Sequence, residues 1–129
     1  MASGLPAATG DVLTASTVNG LVTFTVGSDQ TADYTAVLTD QYQVLVPMNK
    51  ATAVAFKIPT NASVAFPVGT AITILNKGAG LVTISAVTSG TTTVLSAGAV
   101  SASPTLAQFK TAVCIQTAVN VWYAVGAIA

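Results

Sequence analysis

The sequence predicts an all-β fold, a small β-sandwich or jelly-roll-like barrel of short antiparallel strands. Three observations carry this. β-Branched and aromatic residues recur in short runs. Gly, Pro, Asn or Ser closes nearly every run. Glu and Arg, two of the better helix formers, are absent.

Taken in order, residues 1–20 (MASGLPAATGDVLTASTVNG) are small and weakly patterned, which suits an arm or linker, and residues 21–129 form the β-sandwich domain. In LVTFTV, residues 21–26, Val22, Phe24 and Val26 alternate with Thr23 and Thr25. YQVLV at 42–46 puts Tyr42, Val44 and Val46 on one side and ends at Pro47. AVAFKI at 53–58 presents Val54, Phe56 and Ile58 before Pro59. AITIL at 71–75 and LVTIS at 81–85 read as a hairpin. Gly78 and Gly80 supply positive φ in its connection, Asn76 and Lys77 keep the tip polar, and Ile72 and Ile74 oppose Val82 and Ile84. Gly69 makes the turn that feeds the first of these strands. TTVLS at 92–96, AVCIQ at 112–116 and VWYAV at 121–125 complete the set. SPTLAQFKTA, 103–112, is the one stretch that could hold a helical turn, with Pro104 near its start. No period of 20–50 residues stands out, so a solenoid is not expected.

Charge is the unusual feature. Only 6% of residues are charged while 52% are apolar, against about 25% charged in an ordinary soluble domain. The charged side chains are Asp11, Asp29, Asp33, Asp40, Lys50, Lys57, Lys77 and Lys110. No apolar run reaches the roughly 20 residues a membrane helix needs, and the few aromatics would build poor girdles for a membrane barrel. The expectation is no membrane insertion, and a surface largely covered by copies of the chain or by a partner. Net charge is zero with no basic stripe, so nucleic acid is not an expected partner. The N-terminus has no cationic and apolar leader pattern.

Chemistry has little to work with. Without histidine the usual general base and the Ser/His and Cys/His arrangements are excluded. Cys114, in TAVCIQT, reads as a buried structural thiol. Asp29, Asp33 and Asp40 could supply oxygens to a hard cation but lack the spacing of a known loop, and read as turn formers. GAGL at 78–81 has no P-loop ending and precedes a strand. Asn61-Ala62-Ser63 fits a glycosylation triplet without a secretion signal beside it. No catalytic, cofactor or metal residue is assigned, and no enzyme activity is expected. Trp122 and Tyr123 must face opposite sides of a strand, with Trp122 read as core and Tyr123 as a subunit contact. The interface candidates are Tyr123, Phe24 and Leu21.

The run from Phe56 to Gly126 resembles a module of tailed-bacteriophage virion proteins. The likeness rests on Pro59, Asn61 to Pro67, Gly69 and Thr70 in PTNASVAFPVGT, on Thr73, Ile74, Gly78 to Gly80 and Val82 to Ile84, and on Trp122 and Gly126. It covers a little over half of the chain, and residues 1–52 have no part in it. The resemblance implies a β-structured assembly component, often trimeric and without enzymatic activity, found in tail fibres and other exposed parts of the particle. Because the chain holds little beyond the module, it further implies a capsid decoration (cement) protein. Such a protein would be a homotrimer bound to the major capsid protein or another virion protein, made in the host cytoplasm and carried on the phage surface. A tail-fibre or tail-tip subunit touching the host is the first alternative. A small carbohydrate-binding module, which would need aromatic platforms on a solvated face, is the second.

Overall fold

The computed structural model describes residues 24–41, 44–96 and 104–128. The arm assigned to residues 1–20, Leu21 and Tyr42 lie outside them. Ten strands follow in order: β1 Thr25–Val26, β2 Tyr34–Thr35, β3 Val44–Met48, β4 Val54–Ile58, β5 Ala71–Asn76, β6 Val82–Ala86, β7 Thr93–Ser96, β8 Thr105–Leu106, β9 Thr111–Ala118 and β10 Val121–Gly126. The helical content of the described residues is a four-residue 3-10 turn at Leu38–Gln41, and none of it is long and apolar enough to cross a membrane. The stretch 103–112, which could hold a helical turn, contains β8, a tight turn and the start of β9 over its described residues 104–112.

The strands form two sheets, β1-β3-β5-β9-β10-β7 and β2-β4-β6-β8. The all-β expectation holds, but its antiparallel part does not. The pairs β1–β3, β3–β5, β2–β4, β4–β6 and β7–β10 run parallel. The reason is that β1 to β6 alternate strictly between the sheets, so successive strands of one sheet point the same way. The chain coils. Leu45 lies opposite Thr73 and Val54 opposite Val82, and through β3/β5 and β4/β6 each partner lies 28 positions on. Residues 45–58 are thus stacked on 73–86, a one-turn repeat where none was expected.

The expected hairpin of residues 71–85 is therefore a corner. β5 pairs with β3 and β9, while β6 pairs with β4 and β8 in the other sheet. Gly78 and Gly80 are also not positive-φ glycines; among the described residues those are Gly69 and Gly126. Their role is steric. A Cβ on Gly78 would land on the Lys50 backbone, and one on Gly80 on the Thr52 carbonyl, one turn of the coil below. Hydrogen bonds run between the stacked corners, from Lys77 N–H to Met48 O (2.8 Å) and from Gly80 N–H to Lys50 O (2.9 Å).

Pro47 does not end β3. Its carbonyl accepts from Gln30 N–H at 2.8 Å, so its missing donor would point to the same side, beyond the end of two-residue β1, and the ladder to β5 loses nothing. The antiparallel hairpin of the fold is β9–β10, turned through Val119 and Asn120. Asn120 takes φ of 60°, a conformation asparagine tolerates better than most residues.

The inward faces of both sheets meet in one hydrophobic cluster. Val46, Met48, Ile72 and Ile74 come from the first sheet and Val54, Phe56, Ile58, Val82 and Ile84 from the second. Trp122 is buried as expected, edge-on to Phe66 with ring centroids 5.4 Å apart. Asn76, fully buried at the corner, donates from Nδ2 to Gly80 O (2.9 Å) and Leu106 O (2.8 Å) and accepts from Gly78 N–H (3.0 Å).

Cys114 is fully buried between Ile72 and Ala124, and burial pushes its thiol up to about 12. A thiol reagent should leave the native protein unmodified and label it once denaturant is added. Cys114→Ala should lower stability by about 1–2 kcal/mol, the loss of one small buried group. Labelling at the unfolded rate in native buffer would contradict the packing.

Candidate interaction face

The six strands of the larger sheet contain no Asp and no Lys. One face of this sheet is core. On the other, strand register lines up two rows of outward side chains. Leu95, Tyr123, Ile115 and Ala71 form the first row. Val125, Val113, Thr73, Leu45 and Val26 form the second. Among these, Val26 is 69% exposed, Val125 44% and Tyr123 42%. The smaller sheet is different. Its outward residues Thr35, Ala55, Lys57, Thr83, Ser85 and Thr105 are mostly polar, as suits a sheet wetted on one side.

The sequence of the larger sheet carries apolar residues on both faces of its central strands. Strands covered on both faces read as nearly continuous apolar runs, whereas half-solvated strands alternate. AVCI in β9 and VWYAV in β10 are runs of the first kind, and VAFKI in β4 alternates more nearly.

On the outer face, over the central strands β5 and β9, lies a groove of about 570 Å³, walled by Phe24, Gln41, Pro67, Val68, Thr73 and Val113. The wall formed by residues 66–70 is held on β9. Gly69 N–H donates to Gln116 O (2.8 Å) and Gln116 N–H to Thr70 O (2.9 Å). The side-chain amide of the buried Gln116 faces two carbonyls, and with its nitrogen assigned to that side it donates to Phe66 O and Pro67 O at 3.0 and 3.1 Å. Asn120 Oδ1 accepts Asn61 N–H at 2.8 Å, fixing the start of the same connection. Of the interface candidates, Tyr123 and Phe24 (59% exposed) come to this one face. Leu21 lies outside the described residues.

The three aspartates do not form a site. Asp29 pairs with Lys77 Nζ (2.9 Å) and accepts from Asn49 (2.9 Å), which lower its pKa. Asp33 accepts Ala55 N–H at 2.9 Å and faces Lys57 Nζ at 3.6 Å; the backbone hydrogen bond leads in lowering its pKa. Asp40, 4% exposed, accepts from Tyr34 Oη (2.7 Å) and Val37 N–H (2.9 Å). Burial first, and this aspartate second, keep the Tyr34 phenol neutral well past the usual range. Among the described residues no three acidic, histidine or cysteine side chains gather as metal ligands would.

Comparison with protein-family models, curated proteins and solved structures finds no match. The site therefore has to be read from its own chemistry.

Val113, Ile115 and Phe109 were not picked out from the sequence. For the first two the apolar run of β9 was the available signal, but only register shows which residues look outward. Phe109 is 77% exposed and sits at φ of 67°, costly for a bulky side chain. It is pinned there by its N–H to Asn76 O at 2.6 Å and by Gln108 Nε2 to Lys77 O at 3.2 Å. Phe109→Asn should raise stability by about 1 kcal/mol, because asparagine accepts the left-handed region and little ring packing is lost. A urea midpoint below that of the parent chain would show that the ring makes a contact outweighing its strain.

Proposed function

We propose that this chain is a non-enzymatic structural subunit, a small two-sheet sandwich that assembles through the uncharged outer face of its larger sheet. The observation that carries the reading is the pair of apolar rows across β1, β3, β5, β9, β10 and β7, set against the polar outer face of the other sheet. An exposed apolar surface of this extent is comparable with the largest patch of a typical monomer, roughly 300–600 Å², and such patches are often interaction sites. Five strand spacings of about 4.8 Å and strands about 20 Å long give a projected area on the order of 500 Å². That approaches the ~800 Å² of accessible surface each partner contributes to a standard interface.

Following the resemblance to phage virion modules, the assembly is a homotrimer on a phage particle, acting as a decoration protein that clamps the major capsid shell. Three copies would turn this face toward a threefold axis, each meeting its neighbours heterologously, since a face packed on its own equivalent closes as a dimer. Binding to the shell then rests on shape and apolar contact, because four charges of each sign provide no steering field.

The test is to mix the purified protein with undecorated heads and measure occupancy across a salt series. Occupancy should change little as salt rises, since screening acts on exposed charges and leaves apolar burial intact. Adhesion to host cells with no binding to heads would favour the tail-fibre role. Collapse of occupancy at moderate salt would contradict the apolar mechanism.

A further inference from the structure

We propose that Phe109 is the aromatic anchor of the assembly interface, a ring held outward that seats in the outer-face groove of the next copy of this chain. The inference rests on reading that face as a surface between copies, and it adds a residue and its receptor. Among the described residues Phe109 is the most exposed large hydrophobic, and it sits in the left-handed region at φ of 67°. Asparagine or glycine would hold the same backbone at less cost, so the turn by itself does not account for a bulky ring. Strain of this kind persists where the surroundings over-determine it, and it gathers at functional sites.

The ring is also positioned in advance. Phe109 N–H donates to Asn76 O (2.6 Å) and Lys110 N–H to Ala107 O (3.2 Å), while Asn76 is itself buried and bonded at three points. An anchor whose backbone is already fixed loses little freedom on binding.

Reach, charge and area name the receptor. Phe109 precedes Val113 of the groove by four residues, about 13 Å along β9. That is too far for the ring to fill the groove of its own molecule. A groove of about 570 Å³ has room for a phenyl ring, and none of the residues lining it is charged. The flat rows alone, on the order of 500 Å², fall short of the ~800 Å² each partner brings to a standard interface. Seating the ring adds on the order of 150 Å², and the groove walls that close on it add more. A ring entering a different patch on its neighbour is a head-to-tail contact, the kind that closes three copies. The stability gain expected of Phe109→Asn therefore belongs to the separated chain, and association should move the other way.

Sedimentation of the full-length parent, Phe109→Asn and Val87→Asn over a dilution series reads the first half of the proposal. Phe109→Asn relieves strain and should fold. Val87, an exposed apolar residue beyond β6, is the control. Phe109→Asn should associate at least ~30-fold more weakly than the parent, as losing an aromatic hot spot implies, and Val87→Asn should match the parent. Interchain disulfides read the receptor. Chains carrying Gln108→Cys or, in a second series, Lys110→Cys keep the ring and are co-expressed with chains carrying Val68→Cys on the groove wall. Cys114 is buried and stays out of the reaction. After mild oxidation, disulfides between the two kinds of chain should exceed by about tenfold those formed when Thr105→Cys, on the outer face of the other sheet, replaces Val68→Cys. If Phe109→Asn associates as tightly as the parent, the proposal is overturned and the assembly reading stands. Weakened association with no trapping above the control in either series also overturns it, since the ring would then meet another surface. A parent that stays monomeric across the dilution series overturns both.

Discussion

Gly80→Ala is expected to cost at least ~4 kcal/mol, an effect at the upper end for single substitutions. The added Cβ would strike the Thr52 carbonyl and approach Lys50 O, both backbone atoms of the stacked corner. Neither can swing aside as a side chain would, because Lys50 O accepts the hydrogen bond from Gly80 N–H and the corner is tied to β4 and β6. Gly78→Ala should behave alike, since its Cβ meets the Lys50 backbone. Gly90→Ala is the control: nothing lies within 4 Å of its Cβ, so the change should be neutral or slightly stabilising. Urea unfolding reads all three. A mild effect at Gly80, comparable with Gly90, would mean that residues 76–82 form an open hairpin tip and not a stacked corner.

The second large effect is expected at Asn76. Its amide supplies two donors to Gly80 O and Leu106 O and one acceptor to Gly78 N–H, all in the interior. Asn76→Asp keeps the shape but removes the donors, leaving a carboxylate facing two carbonyl oxygens. The cost should be about 3–5 kcal/mol, from orphaned buried groups and a buried charge. Protonation would relieve part of it, so the new carboxyl should titrate above the usual aspartate range. A folded-state pKa raised in this way contributes stability below the unfolded value that is lost as pH rises through the folded one. The variant should therefore lie closer to the parent chain in mild acid than at neutral pH. The parent runs the other way, because Asp29 and Asp33 are held below the ordinary aspartate value and lose their contribution only as acid protonates them. Urea midpoints for both proteins at two pH values test this; equal destabilisation at both would contradict the buried-donor account.

Much of the strand placement was legible. AITIL, AVCIQ and VWYAV fall in strands, as does LVTIS after its first residue, and the parity of Trp122 and Tyr123 follows from strand alternation. What was not legible is which strand pairs with which. A Gly-Ala-Gly connection fits a hairpin that needs positive φ and equally a corner that needs no Cβ, and local sequence does not separate them. The stacking of residues 45–58 on 73–86 leaves only coarse matches, such as Val46 with Ile74, Val54 with Val82 and Phe56 with Ile84. Aliphatic residues repeat that often in any β-rich chain. Phe24 and Tyr123 were singled out from strand alternation and aromatic type. The rows joining them run across strands distant in sequence, so Ile115 and Val113 become visible only once register is known.

The central claim is that the uncharged outer face of the larger sheet holds copies of this chain together. Sedimentation velocity on the parent protein and on an Ile115→Lys, Tyr123→Lys double variant tests it most directly. Both side chains point outward from neighbouring strands, so the variant should keep its fold, which circular dichroism can check in the same sample. The account predicts a parent species at three times the 12.8 kDa chain mass and a folded monomer for the variant. A parent that sediments as a monomer at micromolar concentration, or a folded variant that keeps the parent's mass, would contradict it.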